Sequence, residues 1–159
     1  MLGAVTKGCG GDRLADGEEM LELEDLGVEV EGREILRGIN LRIKCGETHV
    51  LFGPNGSGKT TLLMAIMGFP RYRVTRGRIS LAGEDITRLR PDERARKGIG
   101  IMFQRPPTVR GISLGQMVGI CSRDDVDVEA LAGDMNLEEF LHRDVNHGFS
   151  GGEIKRSEL

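Results

Sequence analysis

Eight consecutive residues, Gly53-Pro54-Asn55-Gly56-Ser57-Gly58-Lys59-Thr60, combine three glycines, a lysine and a hydroxyl in fixed order. Glycines let successive backbone N–H groups turn toward one point, where a side chain would block the approach. A helix starting directly after them adds its positive N-terminal end. Lys59 can reach β- and γ-phosphates and stabilise charge as a terminal bond breaks. The Thr60 hydroxyl is placed to ligate Mg²⁺, and Thr61 adds a phosphate contact. The pattern is a P-loop, and it predicts binding of a nucleoside triphosphate with its Mg²⁺.

A second cluster, Phe149-Ser150-Gly151-Gly152-Glu153, lies near the end of the sequence. Ser-x-x-Glu ahead of a helix is a capping box and needs no further role. Two glycines are poor helix formers in a first turn, however. They make sense where something must come close to that N-terminus, an anion being the natural candidate. From these residues alone both readings stand. His49, His142 and His147 are widely spaced and read as packed or surface histidines rather than catalysts. Cys9, Cys45 and Cys121 form no Cys-x-x-Cys pair, so neither disulfides nor a cysteine metal site is expected.

Elements must hold these residues in place. Residues 1–19 contain five glycines and little periodicity and read as a loose tail, with Met20 as an alternative start. Leu21, Leu23, Val28 and Val30, then Ile39, Leu41 and Ile43, flank Glu31-Gly32 and predict two antiparallel strands closed by a short turn. Residues 48–52 form a short apolar run of buried-strand type leading into the P-loop. Residues 60–67 follow as a helix ended by Gly68 and Pro70. Strand, glycine-rich loop and helix are the context a P-loop requires. Residues 78–81 and 99–103 read as strands, and Pro91 opens a short helix through Arg96. Pro106-Pro107 starts a loop, and beyond Ser113 the pattern is helical in short pieces. Asn136 with Glu139 resembles a capping box for a helix through His142, and Ser150 with Glu153 repeats it.

The 159 residues suffice for one domain and one core. Apolar residues make up 38% and charged residues 30%, and no apolar run is long enough to span a bilayer. The net charge of −3 gives no pull toward nucleic acid. The basic runs Arg71-Tyr72-Arg73 and Arg94-Ala95-Arg96-Lys97 read as solvated faces, offset by Glu84, Asp85, Asp92 and Glu93. A cytoplasmic location, or one peripheral to the inner face of the membrane, fits this composition.

With P-loop, Phe103-Gln104 and Phe149-Ser150-Gly151-Gly152-Glu153 in that order, the sequence resembles an ABC-class ATPase domain. The resemblance implies an α/β fold of the P-loop NTPase, ABC type. It would comprise an N-terminal antiparallel β subdomain, a partial parallel core sheet and a helical subdomain. The ABC domain would cover 20–159, with the helical part at about 105–159. The nucleotide would be held by Gly53, Pro54, Asn55, Gly56, Ser57, Gly58, Lys59, Thr60 and Thr61. Gln104 would touch Mg²⁺ and the attacking water, beside Thr60 on the metal and Lys59 on the reacting phosphate. Ser150, Gly151, Gly152 and Glu153 would form the signature that meets ATP held by a partner subunit. That arrangement is a head-to-tail homodimer or heterodimer with two ATP molecules between subunits.

A narrower resemblance is to SufC, the ATPase of iron–sulfur cluster assembly. It rests on 68–77 (Gly68-Phe69-Pro70-Arg71-Tyr72-Arg73-Val74-Thr75-Arg76-Gly77), Gly83-Glu84-Asp85-Ile86-Thr87, Pro91-Asp92-Glu93-Arg94-Ala95-Arg96 and Val145-Asn146-His147-Gly148 before the signature. It implies ATP turnover coupled to Fe–S cluster assembly and a Suf-type scaffold protein as partner, with no nucleic acid. The alternative is the ATPase subunit of an ABC transporter, whose partner is a transmembrane permease. The sequence departs from the SufC pattern at 105–113, the region that meets the partner. It also has Val28 and Val30 where many ABC domains stack an aromatic ring on adenine. The strand ending in Asp-Glu (the Walker B motif) and the later histidine that the resemblance calls for fall after Leu159. The 159 residues alone are therefore expected to act as a non-catalytic ATP-binding fragment. They are also expected to be marginally stable, with unpaired sheet edges.

Overall fold

The computed structural model describes residues 3–6, 19–103, 106–122 and 126–158. They divide into two compact units, Met1–Ile101 and Met102–Leu159.

The first unit runs β1 (Gly3–Thr6), β2 (Glu19–Val30), β3 (Arg33–Lys44), α1 (Lys59–Met67), β4 (Tyr72–Leu81), β5 (Glu84–Asp85), α2 (Pro91–Arg96) and β6 (Ile99–Met102). β2 and β3 form the expected hairpin, with Leu21 opposite Ile43 and Leu23 opposite Leu41. Glu31 and Gly32 both take positive φ, 50° and 79°, as a tight turn matched to strand twist demands. β4 and β5 complete an antiparallel sheet in the order β3-β2-β4-β5. Leu23, Leu26, Val28 and Ile79 of this sheet, with Ile86 and Ile99, pack in one core with Leu62, Ala65, Ile66 and Met67 of α1. A fully buried aliphatic side chain contributes about 1.5–3 kcal/mol, so this contact is what fixes α1.

β2 carries an irregularity between Glu24 and Gly27, opposite Gly77 on β4. Gly77 has φ of 75°, and a Cβ there would collide with the carbonyl oxygens of Glu24 and Asp25. Exposed ion pairs run along β2 and β4 and across their ends. Glu24 meets Arg78, Asp25 meets Arg76, Glu29 meets Arg73 and Glu31 meets Arg71. The basic run at 71–73 is thus a solvated, paired face.

Three local expectations need correction. Gly3–Thr6, placed in a loose tail, forms β1 and pairs with β6. Residues 48–52 carry no strand, and Val50 and Phe52 are 65% and 89% exposed. Among the described residues no strand lies beside them. An apolar run without a neighbour for its N–H and C=O groups does not settle as a strand. Cys45 is buried and disulfide-bonded, while Cys121 is a free, exposed thiol. The expectation of three separate thiols therefore fails at Cys45.

The second unit contains β7 (Val109–Ser113), α3 (Leu114–Cys121), α4 (Val128–Met135), a 3-10 turn (Glu138–Phe140), β8 (Asp144–Val145) and α5 (Gly151–Ser157). Leu114, Ala132, Leu137, Leu141 and Phe149 form its core. The Phe140 and Phe149 rings meet edge to face with centroids 4.7 Å apart, a favoured aromatic geometry. β7 and β8 pair antiparallel, a contact spanning some 30 residues that local periodicity does not reveal. Asn136 does not open a helix. It ends α4 in the left-handed region, φ 52°, with its N–H on the Ala132 and Gly133 carbonyls. Asn tolerates that conformation, and only a single 3-10 turn follows.

Ser113 caps α3. Its Oγ accepts from Gln116 N at 3.2 Å, and Gln116 Oε1 accepts from Ser113 N at 3.0 Å. Ser113→Ala is expected to cost about 1 kcal/mol, read as a lower urea midpoint at unchanged slope.

Candidate phosphate site and signature turn

The P-loop stands open at the N-terminus of α1. Gly53, Gly56 and Gly58 take φ of 156°, 82° and 89°. The positive φ of Gly58 favours glycine, and a Cβ there would also press on Leu36 Cδ2 of β3 at 2.6 Å. The core residue Leu36 therefore holds the loop's last turn. Gly58 is the N-cap of α1, and no side chain caps that end. By contrast, Ser113, Asp127 and Ser150 cap α3, α4 and α5 through side-chain oxygens. The first N–H groups of α1 are left pointing into the loop, where only an anion or water can take them.

Lys59 folds back over this loop. Its Nζ donates to the carbonyls of Gly53 and Pro54, both at 2.7 Å, and to Ser57 Oγ at 3.3 Å. It makes no ion pair with the described residues. The ammonium thus sits at the mouth of the loop, held by dipoles and hydroxyl but not neutralised. Pro54, Asn55 and Thr60 are exposed, and Thr61 is half-buried in the first helical turn. Among the described residues the Thr60 hydroxyl takes no partner, so it is free to serve a cation brought in by phosphate. No cluster of three His, Cys, Asp or Glu among the described residues could hold a metal by itself. Val28 is fully buried and cannot reach a base over the loop. His49 pairs with Glu47 at 3.0 Å, and the Lys44 N–H and then His49 hold the Glu47 carboxyl below the usual range.

Gln104 lies outside the described residues. Ser150, Gly151, Gly152 and Glu153 are brought together at the start of α5. Glu153 Oε2 accepts from Ser150 N at 2.6 Å, and Ser150 Oγ accepts from Glu153 N at 3.4 Å. Neither Gly151 nor Gly152 has a positive φ. A Cβ on Gly151 would meet open space, and one on Gly152 only the tip of Arg156 at 4.0 Å. Nothing inside the unit asks for glycine at either position. The bonds to the Ser150 N–H and side chain lower the Glu153 pKa. A carboxylate lowered on folding stabilises above its unfolded value and loses that contribution as pH falls through its folded value. The α5 N-terminus is therefore expected to fray on acidification through and below the ordinary carboxylate range. Amide exchange at Glu153 should rise there, and Glu153→Gln should abolish the pH dependence.

Comparison with known proteins identifies a family. The family described as ABC transporter matches residues 36–159. The chain is 42% identical over 153 residues to Vegetative protein 296 of Bacillus subtilis (strain 168), covering 87% of this chain and 59% of that protein. It is 41% identical over 154 residues to a probable ABC transporter ATP-binding protein of Streptococcus pyogenes serotype M3, covering 88% and 60%. The structure of MJ1267, an ATP-binding cassette of an ABC transporter in its ADP conformation, superposes with a TM-score of 0.70. That match has 24% identity and covers 89% of this chain and 63% of the other. The chain belongs to the ABC transporter family, in its ATP-binding domain. It spans about three fifths of the length of the curated relatives it matches. The α/β architecture with its antiparallel N-terminal sheet is the one expected of this class. No helix among the described residues is long and apolar enough to cross a membrane.

Proposed function

We propose that this chain binds the triphosphate of ATP, with Mg²⁺, at the P-loop, as part of an ATPase that does work on a partner protein. The observation that carries this is the open N-terminus of α1, uncapped by any side chain and facing an unneutralised Lys59. An anion there gains backbone N–H bonds, the helix dipole and an ammonium together. Gly53, Asn55, Gly56, Ser57 and Gly58 wrap the phosphates, and Thr61 supports them. Thr60, with Gln104, would hold Mg²⁺, which would supply charge neutralisation at the phosphates. Titration with a fluorescent ATP analogue tests this. Saturable binding displaced by ATP and ADP but not by adenosine supports the reading, and displacement by adenosine alone overturns it.

The signature Ser150, Gly151, Gly152 and Glu153 is proposed to meet ATP held by a second subunit in a head-to-tail dimer. The two glycines without any internal reason support that reading. Hydrolysis is proposed for the whole protein.

For the work done, we favour a SufC-like role in Fe–S cluster assembly, on the motifs at 68–77, 83–87, 91–96 and 145–153. The second reading, the ATPase subunit of a transporter, is favoured by the name of the Streptococcus pyogenes relative. Purification of the whole protein with its partners separates them. A soluble scaffold supports assembly, and a membrane-embedded permease supports transport.

A further inference from the structure

At the end of α1 away from the P-loop, the first unit holds a cleft of about 850 Å³. Its walls carry Arg73, Arg76, Arg88, Arg90 and Arg94 against a single acidic residue, Asp85. This runs against the chain's net charge of −3. Arg73, Arg76 and Arg90 are tied only by exposed pairs to Glu29, Asp25, Asp92 and Glu93, which hold weakly and exchange readily. Arg88 is exposed and makes no ion pair with the described residues. Arg94 is 2% exposed, and its guanidinium is met by four carbonyl oxygens and no carboxylate. The buried Arg94 thus adds positive charge behind the cleft wall, partly offset by Asp85. Between the arginines lie Phe69, Pro70, Val74 and Leu89, an apolar lining for a side chain.

We propose that this cleft docks an acidic, partly apolar peptide segment of a partner protein. Its carboxylates would meet Arg88 and Arg90, and an apolar side chain would seat against Phe69 and Val74. A nucleic acid backbone wants cations strung along an open track. Here they gather around one half-open hollow with an apolar lining, which suits a peptide. The nine-residue α1 sets the cleft roughly 13 Å from the P-loop, so the proposal does not depend on nucleotide binding.

Fluorescence anisotropy of a labelled peptide rich in glutamate and leucine, beside its glutamine counterpart, tests it on the full chain. The acidic peptide should bind saturably, and the glutamine peptide about fivefold or more weakly. Arg88→Glu should weaken the acidic peptide about tenfold, with the melting temperature and binding of the ATP analogue unchanged. Lys59→Ala should leave peptide binding intact, so failure of the nucleotide reading would not touch this one. Equal binding of both peptides, or indifference to Arg88→Glu, overturns the proposal. So does preferential, Arg88-dependent binding of a single-stranded oligonucleotide. Self-association abolished by Arg88→Glu would give the cleft to a second copy of this chain and also overturn it.

Discussion

Lys59→Ala should weaken ATP binding on the order of a hundredfold with no loss of fold. A hydrogen bond to a charged group contributes about 1.5–3 kcal/mol, which is roughly ten- to a hundred-and-fifty-fold in affinity. The upper end applies because Lys59 is the cation that closes over the loop, with its Nζ on Gly53 O and Pro54 O. Those two bonds orient the ammonium but leave its charge available. The loss should fall on the phosphates, so affinity should drop more for ATP than for ADP and little for AMP. The helix should survive, since alanine is the best helix former and Leu62, Ala65, Ile66 and Met67 still bury α1 in the core. Unchanged far-ultraviolet circular dichroism with a shifted titration curve is the expected pair of results. Undiminished ATP affinity would mean the phosphates bind elsewhere.

The open glycine turns ahead of α1 were legible in sequence because their backbone demands are local. Three glycines, a lysine and a threonine sit within eight residues, and their backbone demands can be met only one way. The β2–β3 hairpin was legible for the same reason, since alternation and a Glu31-Gly32 turn are neighbours in the chain. What escaped was set by distance. The β7–β8 pairing joins Val109 to Val145, and nothing near either residue announces the other. Asn136 carried a helix-start pattern with Glu139. The same residue ends the preceding α4 instead, because a left-handed Asn also serves a helix C-terminus. Residues 48–52 had the composition of a buried strand, but composition supplies only the apolar half of the requirement. The other half is a neighbour for each backbone group. At the signature, sequence left a plain capping box and an anion site both standing. The structure shows the capping box made in full, with glycines that the cap itself does not need.

Arg94 was also misread from its neighbours, and it yields the second large effect. In the run Arg94-Ala95-Arg96-Lys97 it looked like part of a solvated face. Only Arg94 turns inward, its Nη1 on Ala65 O and Ile66 O at 2.8 Å, its Nη2 on Thr87 O and its Nε on Leu89 O. The first two are carbonyls of the last turn of α1, where backbone donors run short; Ala65 O also takes the Gly68 N–H at 3.0 Å, and Arg94 adds a second donor there and one to Ile66 O. The cation also sits at the negative end of the helix dipole. Burial pulls the guanidinium's pKa below its ordinary value, and the charge on Asp85 opposes that pull. Arg94→Ala leaves these carbonyls short of donors in a buried site and opens a cavity. The expected cost is about 3 kcal/mol or more, a fall of roughly 10 °C in melting temperature. Arg94→Lys should recover a minority of it, since one ammonium cannot reach four carbonyls spread over two segments. A loss under about 1 kcal/mol would show that α1 is held by its apolar face alone. The size of the loss thus measures how firmly the helix that presents the phosphate loop is anchored at its other end.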